Sequence, residues 1–229
     1  MHLKLLSLFP EYFTSGLATS LLQRAITVEK VKITNTNIRD YATDKHRVTD
    51  DRPYGGGAGM VLKVEPIARA LQAFGAKPGQ KKRKIVLLSA QGSPYTQADA
   101  QRYAALDELI LICGHYEGVD ERVVDHYIDE EKRIGDYVLM GGEVAAMVIV
   151  ESVVRLLPGV LGNPESNQGE SHSQPGVLGY PQYTRPEEFE GHKVPEVLLS
   201  GNHKDIEEWR VHQPKCFNNR FLLKRQNIF

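Results

Sequence analysis

The chain has 229 residues, 41% hydrophobic and 25% charged, and fits one large globular domain or a medium domain with a small one. No apolar stretch approaches the roughly 20 residues that cross a bilayer, and the start lacks a signal-peptide layout. The net charge is −1, and two cysteines are too few for a disulfide framework, so we expect a soluble, cytoplasmic protein without a membrane partner.

The N-terminal part of the chain alternates strand-like with helix-like patterns. Residues 3–8 and 31–38 are predicted strands, and residues 11–29 between them are predicted to be helical. Another helix is predicted from about residue 64, where an acidic residue and a proline stand in the first turn.

Two near-continuous apolar runs follow, at residues 84–89 and 108–113, as expected of strands buried on both faces of a sheet. Residues 96–106 between them are a predicted helix, and residues 143–157 are predicted to form a long apolar helix. Strands that alternate with helices indicate an α/β domain with a mainly parallel sheet.

The composition changes after Gly159, because residues 162–176 are polar and rich in Gly, Pro, Asn and Ser. Such a stretch is typical of a linker, or of a loop that becomes ordered on binding. We therefore predict an α/β domain at residues 1–160, a flexible linker at 161–176 and a small, mostly helical domain at 177–229.

Three glycine-containing loops directly follow strand-like runs, namely SAQGS at 89–93, CGHYEG at 113–118 and IGDYVLMGGE at 134–143. Loops at the carboxyl ends of parallel strands line the ligand crevice of an α/β sheet, and glycine lets the backbone approach a ligand closely. Each loop taken alone is as well explained by a tight turn. Their common position favours a binding site for a flat nucleoside.

The standard nucleotide motifs are missing, since no G-x-G-x-x-G opens a helix after the first strand and no G-x-x-x-x-G-K-[ST] occurs. PYGGGAGM at residues 53–60 follows a polar stretch rather than a strand, which favours a flexible loop that closes over a substrate. The histidines and cysteines lack metal-ligand spacing, so we predict no metal site.

Charge is distributed unevenly along the chain. Residues 105–151 contain twelve acidic and three basic residues, whereas residues 209–229 contain five basic and no acidic ones. Basic residues among aromatic ones are typical of a surface that follows a phosphate backbone. An amphipathic helix with a solvated face explains the same pattern, and composition alone favours that explanation.

Six stretches together resemble the bacterial tRNA (guanine-N1)-methyltransferase family, which belongs to the SPOUT superfamily. They are DDRPYGGGAGM at 50–60, CGHYEGVDER at 113–122, IGDYVLMGGE at 134–143, RLLPGVLGN at 155–163, YPQYTRPEEFEG at 180–191 and VPEVLLSGNH at 194–203. The resemblance implies an α/β fold with a deep trefoil knot, one of the rare knotted chain paths. It also implies methyl transfer from S-adenosylmethionine to the tRNA guanine at position 37, by a homodimer with active sites at its interface. It leaves a requirement for Mg²⁺ open.

The resemblance assigns the cofactor to the three glycine-containing loops. The positions carried over are Leu88, Ser89, Gln91, Gly114, Tyr116, Glu117, Gly118, Ile134, Gly135, Asp136, Tyr137, Val138, Leu139, Gly141 and Gly142. The chain departs from the family pattern at His115, where arginine is common, and at Ala90 and Ala145, where proline is common.

Methylation at guanine N1 needs a base, because N1 carries a proton at neutral pH, and negative charge then spreads toward O6. The resemblance aligns Glu170 with the family's general-base aspartate, with Glu165 as a substitute, and Arg155 with the arginine that stabilises the developing charge. From composition alone, Glu170 is a solvated linker charge and Arg155 a helix-terminal residue favoured by the helix dipole. The predicted tRNA contacts are Gly59, Ser166, Lys215, Arg220 and Arg225.

Two other functions remain as alternatives to guanine-N1 methylation. One is a knotted methyltransferase that modifies a ribose 2′-oxygen, and the other is an RNA-binding protein without catalytic activity. The glycine-rich loop at 53–60 and the C-terminal motifs resemble the guanine-N1 enzymes specifically.

Overall fold

The computed structural model describes residues 1–162, 170–173 and 177–213. The chain divides into two compact units, Met1–Pro164 and Glu165–Phe229. The strands are β1 (His2–Ser7), β2 (Lys32–Asn37), β3 (Asp50–Asp51), β4 (Val61–Leu62), β5 (Arg83–Pro94), β6 (Glu108–Cys113), β7 (Glu130–Arg133), β8 (Glu188–Phe189) and β9 (His192–Lys193). The helices are α1 (Thr14–Leu17), α2 (Ser20–Thr27), α3 (Val64–Ala73), α4 (Gln97–Ala104), α5 (Glu121–Tyr127), α6 (Glu143–Val154), α7 (Glu196–Leu199) and α8 (His203–His212), with 3₁₀ helices at Pro10–Phe13 and Ile38–Tyr41.

The first unit is built on a five-stranded sheet with the order β2-β1-β6-β5-β7, and all of its pairings are parallel. The predicted α/β class with a parallel sheet is therefore confirmed. Because adjacent strands run in the same direction, the loops after β6, β5 and β7 leave the sheet at one edge.

Both faces of this sheet are covered by helices. Along β6, Leu109 and Leu111 pack on one face with α2, α4 and α6, while Ile110 and Ile112 pack on the other with α3 and α5. Each of these four side chains is fully buried, which contributes about 1.5–3 kcal/mol apiece. Burial on both faces explains why the strand is apolar at every position after Glu108.

The single helix predicted over residues 11–29 is wrong. The segment forms a 3₁₀ helix and then α1 and α2, separated at Thr19, whose backbone is extended. The Thr19 hydroxyl donates to the Ser15 carbonyl at 2.7 Å, and Ser20 has a φ of 52°. Hydroxyl side chains that bond to the nearby backbone compete with helical hydrogen bonds, and this run of Thr and Ser breaks the helix.

Strand β7 stands at the edge of the sheet, and all four of its residues are charged. Two of these charges are neutralised from α4, because Arg102 donates to Glu130 at 2.7 Å and Lys132 lies 3.1 Å from Asp99. The Arg102 guanidinium also lowers the pKa of Glu130. Strand β7 therefore does not need an apolar sequence. For the same reason, no bounds were predicted for it from the apolar pattern of the sequence.

The glycine-rich loop at residues 53–60 connects two short strands, since β3 and β4 pair in antiparallel fashion on either side of it. The prediction that a polar stretch rather than a strand precedes this loop is wrong in that detail. Two residue pairs, Asp50 with Leu62 and Asp51 with Val61, hold its ends together.

The described part of the second unit contains a two-stranded hairpin, β8–β9, together with α7 and α8. The side chain of Asn202 caps α8 by accepting from the Lys204 N–H at 3.1 Å. The predicted mostly helical character is not confirmed by these residues.

Within the described residues of the whole chain, no helix is both long and apolar enough to cross a membrane.

Candidate active site

A cleft of about 240 Å³ lies at the carboxyl ends of β5, β6 and β7. The three glycine-containing loops form its walls, and all the predicted cofactor positions except Asp136 line it. The Asp136 carboxylate instead accepts from the Arg133 Nε at 2.7 Å and has an exposed fraction of 87%. The sequence-based prediction that these loops meet at one site is therefore supported by their geometry.

The loops after β6 and β7 are joined to each other by backbone contacts. The Gly142 N–H donates to the Gly114 carbonyl at 2.8 Å, and a backbone bridge connects His115 with Gly141. A Cβ on Gly142 would lie 2.8 Å from the Cys113 Cα, and one on Gly114 would lie 2.8 Å from the Leu88 carbonyl oxygen. Both glycines thus allow backbone to approach backbone, whereas the sequence suggested approach to a ligand.

The glycine-rich loop is attached to the β6 side of the cleft. The Glu117 N–H donates to the Met60 carbonyl at 3.0 Å, and Leu62 donates to the Gly118 carbonyl at 2.9 Å. Gly59 has a φ of 82°, and the space beside its Cα is filled by the Glu117 side chain. The predicted tRNA contact Gly59 therefore stands next to a predicted cofactor residue.

Tyr116 has a left-handed backbone, with a φ of 60°, at the centre of the loop after β6. Bulky residues rarely adopt this conformation, because it costs of order 1–3 kcal/mol, and such strain collects at functional sites. The tyrosine ring is 43% exposed and lines the cleft. We interpret the strain as the cost of presenting this ring to a ligand.

The charges around the cleft favour a cationic ligand. Glu117, Glu121 and Glu131 line it, and none has an ion-pair partner within 4.0 Å among the described residues. The lysine and the arginine that line it are already paired, Lys132 with Asp99 and Arg133 with Asp136. The unpaired charge in the cleft is therefore negative.

A buried polar pair behind the cleft was not found by sequence reasoning. The Ser7 hydroxyl at the end of β1 donates to the Glu143 carboxylate at 2.6 Å, across 136 positions of sequence. In the sequence, Glu143 was singled out only as the last residue of the stretch IGDYVLMGGE. The nearby Cys113 thiol has its pKa raised by burial and by this carboxylate, which argues against a nucleophilic role.

Arg155 lies far from this cleft in its own chain. It follows the last residue of α6, whose first residue follows Gly142 in the cleft wall. A helix of twelve residues is about 18 Å long. Arg155 lines a second cleft with Glu151 and with residues of α1 and α2. One chain thus does not bring Arg155 to the predicted cofactor site.

The remaining predicted residues belong to the second unit. The Glu170 carbonyl accepts from the Ser173 N–H at 3.1 Å, which forms a tight turn. The other predicted positions, Glu165, Ser166, Lys215, Arg220 and Arg225, lie outside the described residues. In the ranges that the structure covers, no three His, Cys, Asp or Glu side chains are grouped so that they could hold a metal ion.

Comparisons with known proteins give one consistent result. A family model described as tRNA (Guanine-1)-methyltransferase TrmD matches residues 1–228. A tRNA (guanine-N(1)-)-methyltransferase of Brevibacillus brevis is 52% identical over 211 residues, covering 92% of this chain and 85% of the relative. A Bacillus cereus protein with the same description is 51% identical over 235 aligned positions, covering 99% and 96%. One from Listeria welshimeri is 48% identical over 210 residues, covering 92% and 85%.

Proposed function

The chain belongs to the tRNA (guanine-1)-methyltransferase family, and we propose that it transfers a methyl group from S-adenosylmethionine to N1 of guanine 37 in tRNA. The observation that carries this proposal is the cleft at the ends of β5, β6 and β7. Three loops that follow parallel strands meet there, as in the ligand crevices of α/β sheets, and its carboxylates suit a sulfonium cation. A tRNA substrate implies that the enzyme works in the cytoplasm.

In the proposed reaction, the Glu170 carboxylate accepts the N1 proton while N1 attacks the methyl carbon of the sulfonium. The carbon–sulfur bond breaks, its electron pair stays on sulfur, and S-adenosylhomocysteine and 1-methylguanine are formed. The Arg155 guanidinium stabilises the negative charge that develops toward O6, which lowers the barrier because the charge is larger in the transition state. Mg²⁺ enters no step of this proposal.

The position of Arg155 supports a dimer with shared active sites. Because α6 separates it from its own cleft by about 18 Å, the guanidinium that serves one cleft must come from another copy of the chain. Exposed apolar side chains also support pairing. Val138 and Met140 are 85% and 93% exposed, and Val144 and Val148 on α6 are 41% and 42% exposed. Apolar groups exposed together are typical of interfaces, and a symmetric homodimer would bury them.

The chain path around β5 supports the proposed trefoil knot. Strand β7 pairs with β5 on both sides of the loop at residues 89–92, with a register shift between Leu88 and Ser93. From this edge strand the chain returns to the end of β6, where Gly142 bonds to Gly114, and continues into α6. Such a return across β5 is the path that a knotted chain requires.

The test of the proposed activity is incubation with labelled S-adenosylmethionine and an unmodified tRNA transcript, followed by nucleoside analysis. We expect label in 1-methylguanosine, and no label when position 37 carries adenine. Label in a 2′-O-methylated nucleoside would indicate the ribose methyltransferase instead. Binding of tRNA without any transfer would indicate an RNA-binding protein without catalytic activity.

Shared active sites predict a specific result for mixed dimers. A dimer of one Gly142→Val chain and one Arg155→Ala chain contains one site with both defects and one intact site. At an S-adenosylmethionine concentration well below the dissociation constant of Gly142→Val, we therefore expect about half of the wild-type activity, although each variant alone has little activity there. Dual-tag purification of the mixed dimer and a methyl-transfer assay measure this.

The reciprocal control combines both substitutions in one chain and pairs it with a wild-type chain. Each site then has one defect, so this dimer should be inactive. Half activity in this control, with none in the first mixed dimer, would mean that Arg155 acts on the cleft of its own chain.

A further inference from the structure

The buried pair of Ser7 and Glu143 joins the end of β1 to a wall of the cleft. Ser7 ends β1, the neighbour of β6 in the sheet, while Glu143 follows Gly142, a predicted cofactor position that lines the cleft. Ser7 is fully buried and Glu143 is 4% exposed. The Ser7 hydroxyl donates to the Glu143 Oε1 at 2.6 Å and accepts from the Phe9 N–H at 2.8 Å, so it is engaged both as donor and as acceptor.

The carboxylate of Glu143 also lies beside the backbone of the cleft wall. A Cβ added to Gly141 would collide with the Glu143 Oε2, so the lack of a side chain at Gly141 makes room for this oxygen. Gly141 lines the cleft, and the next residue, Gly142, donates its N–H to the Gly114 carbonyl at 2.8 Å. The end of the loop at residues 134–142 is therefore held by backbone from the β6 side and by a side chain from the β1 side.

Stability alone does not account for this pair. No lysine or arginine nitrogen of the described residues lies within 4.0 Å of the Glu143 carboxylate, and the His115 Nδ1 is 3.9 Å from Oε2, beyond hydrogen-bond distance. The N-terminus of α6 favours a negative charge there without fixing the position of the side chain. Apolar side chains of similar volume often stabilise such a place equally well or better, but a directional hydrogen bond fixes one relative position of the groups that it joins.

We infer that Glu143 is a positioning residue for S-adenosylmethionine. The hydrogen bond from Ser7 holds Gly141 and Gly142 at the place in the cleft wall where the cofactor binds. Without this bond, the loop at residues 134–142 keeps its backbone contacts with the loop after β6 but can shift relative to β1, and the cleft then fits the cofactor less well. The inference rests on the proposed function, because it concerns the proposed cofactor site.

The test separates affinity from stability in a variant that replaces the polar pair with apolar side chains. Ser7→Ala and Glu143→Met are combined, so that neither of the two side chains is left buried without its partner. The unfolding temperature should stay within about 4 °C of that of wild type. Calorimetric titration should nevertheless show at least about tenfold lower affinity for both S-adenosylmethionine and S-adenosylhomocysteine, as expected for a lost hydrogen bond to a charged group.

Two single substitutions keep the test decisive if the double variant does not fold. Ser7→Ala alone removes the donor and should lower the affinity for both ligands by at least about fivefold. Glu143→Gln keeps an oxygen that accepts from Ser7, so its affinity for both ligands should remain within about threefold of that of wild type. Each titration is made below the temperature at which that variant begins to unfold.

The matched control changes a second side-chain contact of the same helix. The Ser152 hydroxyl, toward the other end of α6, lies 2.7 Å from the Tyr95 hydroxyl. Ser152→Ala removes this hydrogen bond and should bind both ligands within about twofold of wild type, because distant sites seldom couple.

Wild-type affinity in the double variant, or in Ser7→Ala if the double variant does not fold, would overturn the inference while leaving the cleft as a cofactor site. A loss in Glu143→Gln as large as in those variants, for one ligand or for both, would also overturn it, because this amide can still accept from Ser7. An equal loss in Ser152→Ala would show that affinity follows the stability of α6 and would have the same consequence. Failure of wild type to bind either ligand would instead contradict the proposed function itself.

Discussion

Replacing Glu170 with glutamine is expected to slow single-turnover methylation by about 10²-fold or more, the usual scale for a lost general base. Glutamine keeps the shape of the side chain but cannot accept the N1 proton of guanine. The hydrogen bond between Glu170 and Ser173 is made by backbone atoms, and thermal unfolding of the variant checks that its fold persists. Binding of S-adenosylmethionine and of tRNA, measured separately, should be close to that of wild type.

Two further variants make this result specific. Glu170→Asp keeps the carboxylate and should retain substantial activity, because aspartate is the residue that the family has at the position aligned with Glu170. Glu165→Gln changes the other carboxylate of the predicted linker and should react at a near-normal rate. A near-normal rate for Glu170→Gln together with a collapse for Glu165→Gln would transfer the base to Glu165.

Gly142→Val is expected to weaken S-adenosylmethionine binding by about tenfold to a hundredfold. The new Cβ would lie 2.8 Å from the Cys113 Cα and 3.0 Å from the Gly114 nitrogen, and backbone atoms cannot move aside as a flexible side chain can. Overpacking of this kind costs about 1–3 kcal/mol, and 1.4 kcal/mol corresponds to tenfold in affinity. The start of α6 must shift, and the two loops that bond through Gly142 then separate.

The matched control is Gly162→Val, where an added Cβ meets nothing within 4 Å and the backbone has no positive φ. Its affinity for S-adenosylmethionine should match that of wild type. Thermal unfolding of both variants establishes the temperature below which each is folded, and the calorimetric titrations are made there. An unchanged affinity in Gly142→Val would show that contact between these loops does not shape the cofactor site.

In the proposed dimer, the two ends of α6 would serve different active sites. The N-terminal end of the helix follows Gly142 of the first cleft, and Arg155 at its C-terminal end lines a different cleft. A pairing that buries the exposed valines of α6 would bring opposite ends of two such helices together. Assembly of the dimer would then be a condition for activity, because neither chain alone holds all the proposed catalytic groups at one place.

Local sequence determined those elements of this protein in which successive residues have similar surroundings. The near-continuous apolar run at residues 108–113 predicted β6 with its observed bounds, because a strand buried on both faces needs apolar side chains on both of them. The glycine-containing loops were recognisable for a similar reason, since they follow such strands and few other residues allow so close an approach. The family motifs lie on these same loops, which is why the cleft could be predicted from them.

Tertiary structure alone decided the features that depend on residues far apart in the chain. Strand β7 is charged throughout, and two of its charges are paired with Asp99 and Arg102 of α4, which lie far from it in the sequence. The buried contact between Ser7 and Glu143 likewise joins two positions that no local pattern relates. The distance of Arg155 from its own cleft follows from the direction of α6 in space, which periodicity cannot give. The free energy that stabilises the charged strand and the buried polar pair comes from partners that the fold brings near. The sequence around one residue does not indicate which distant residue will be its partner.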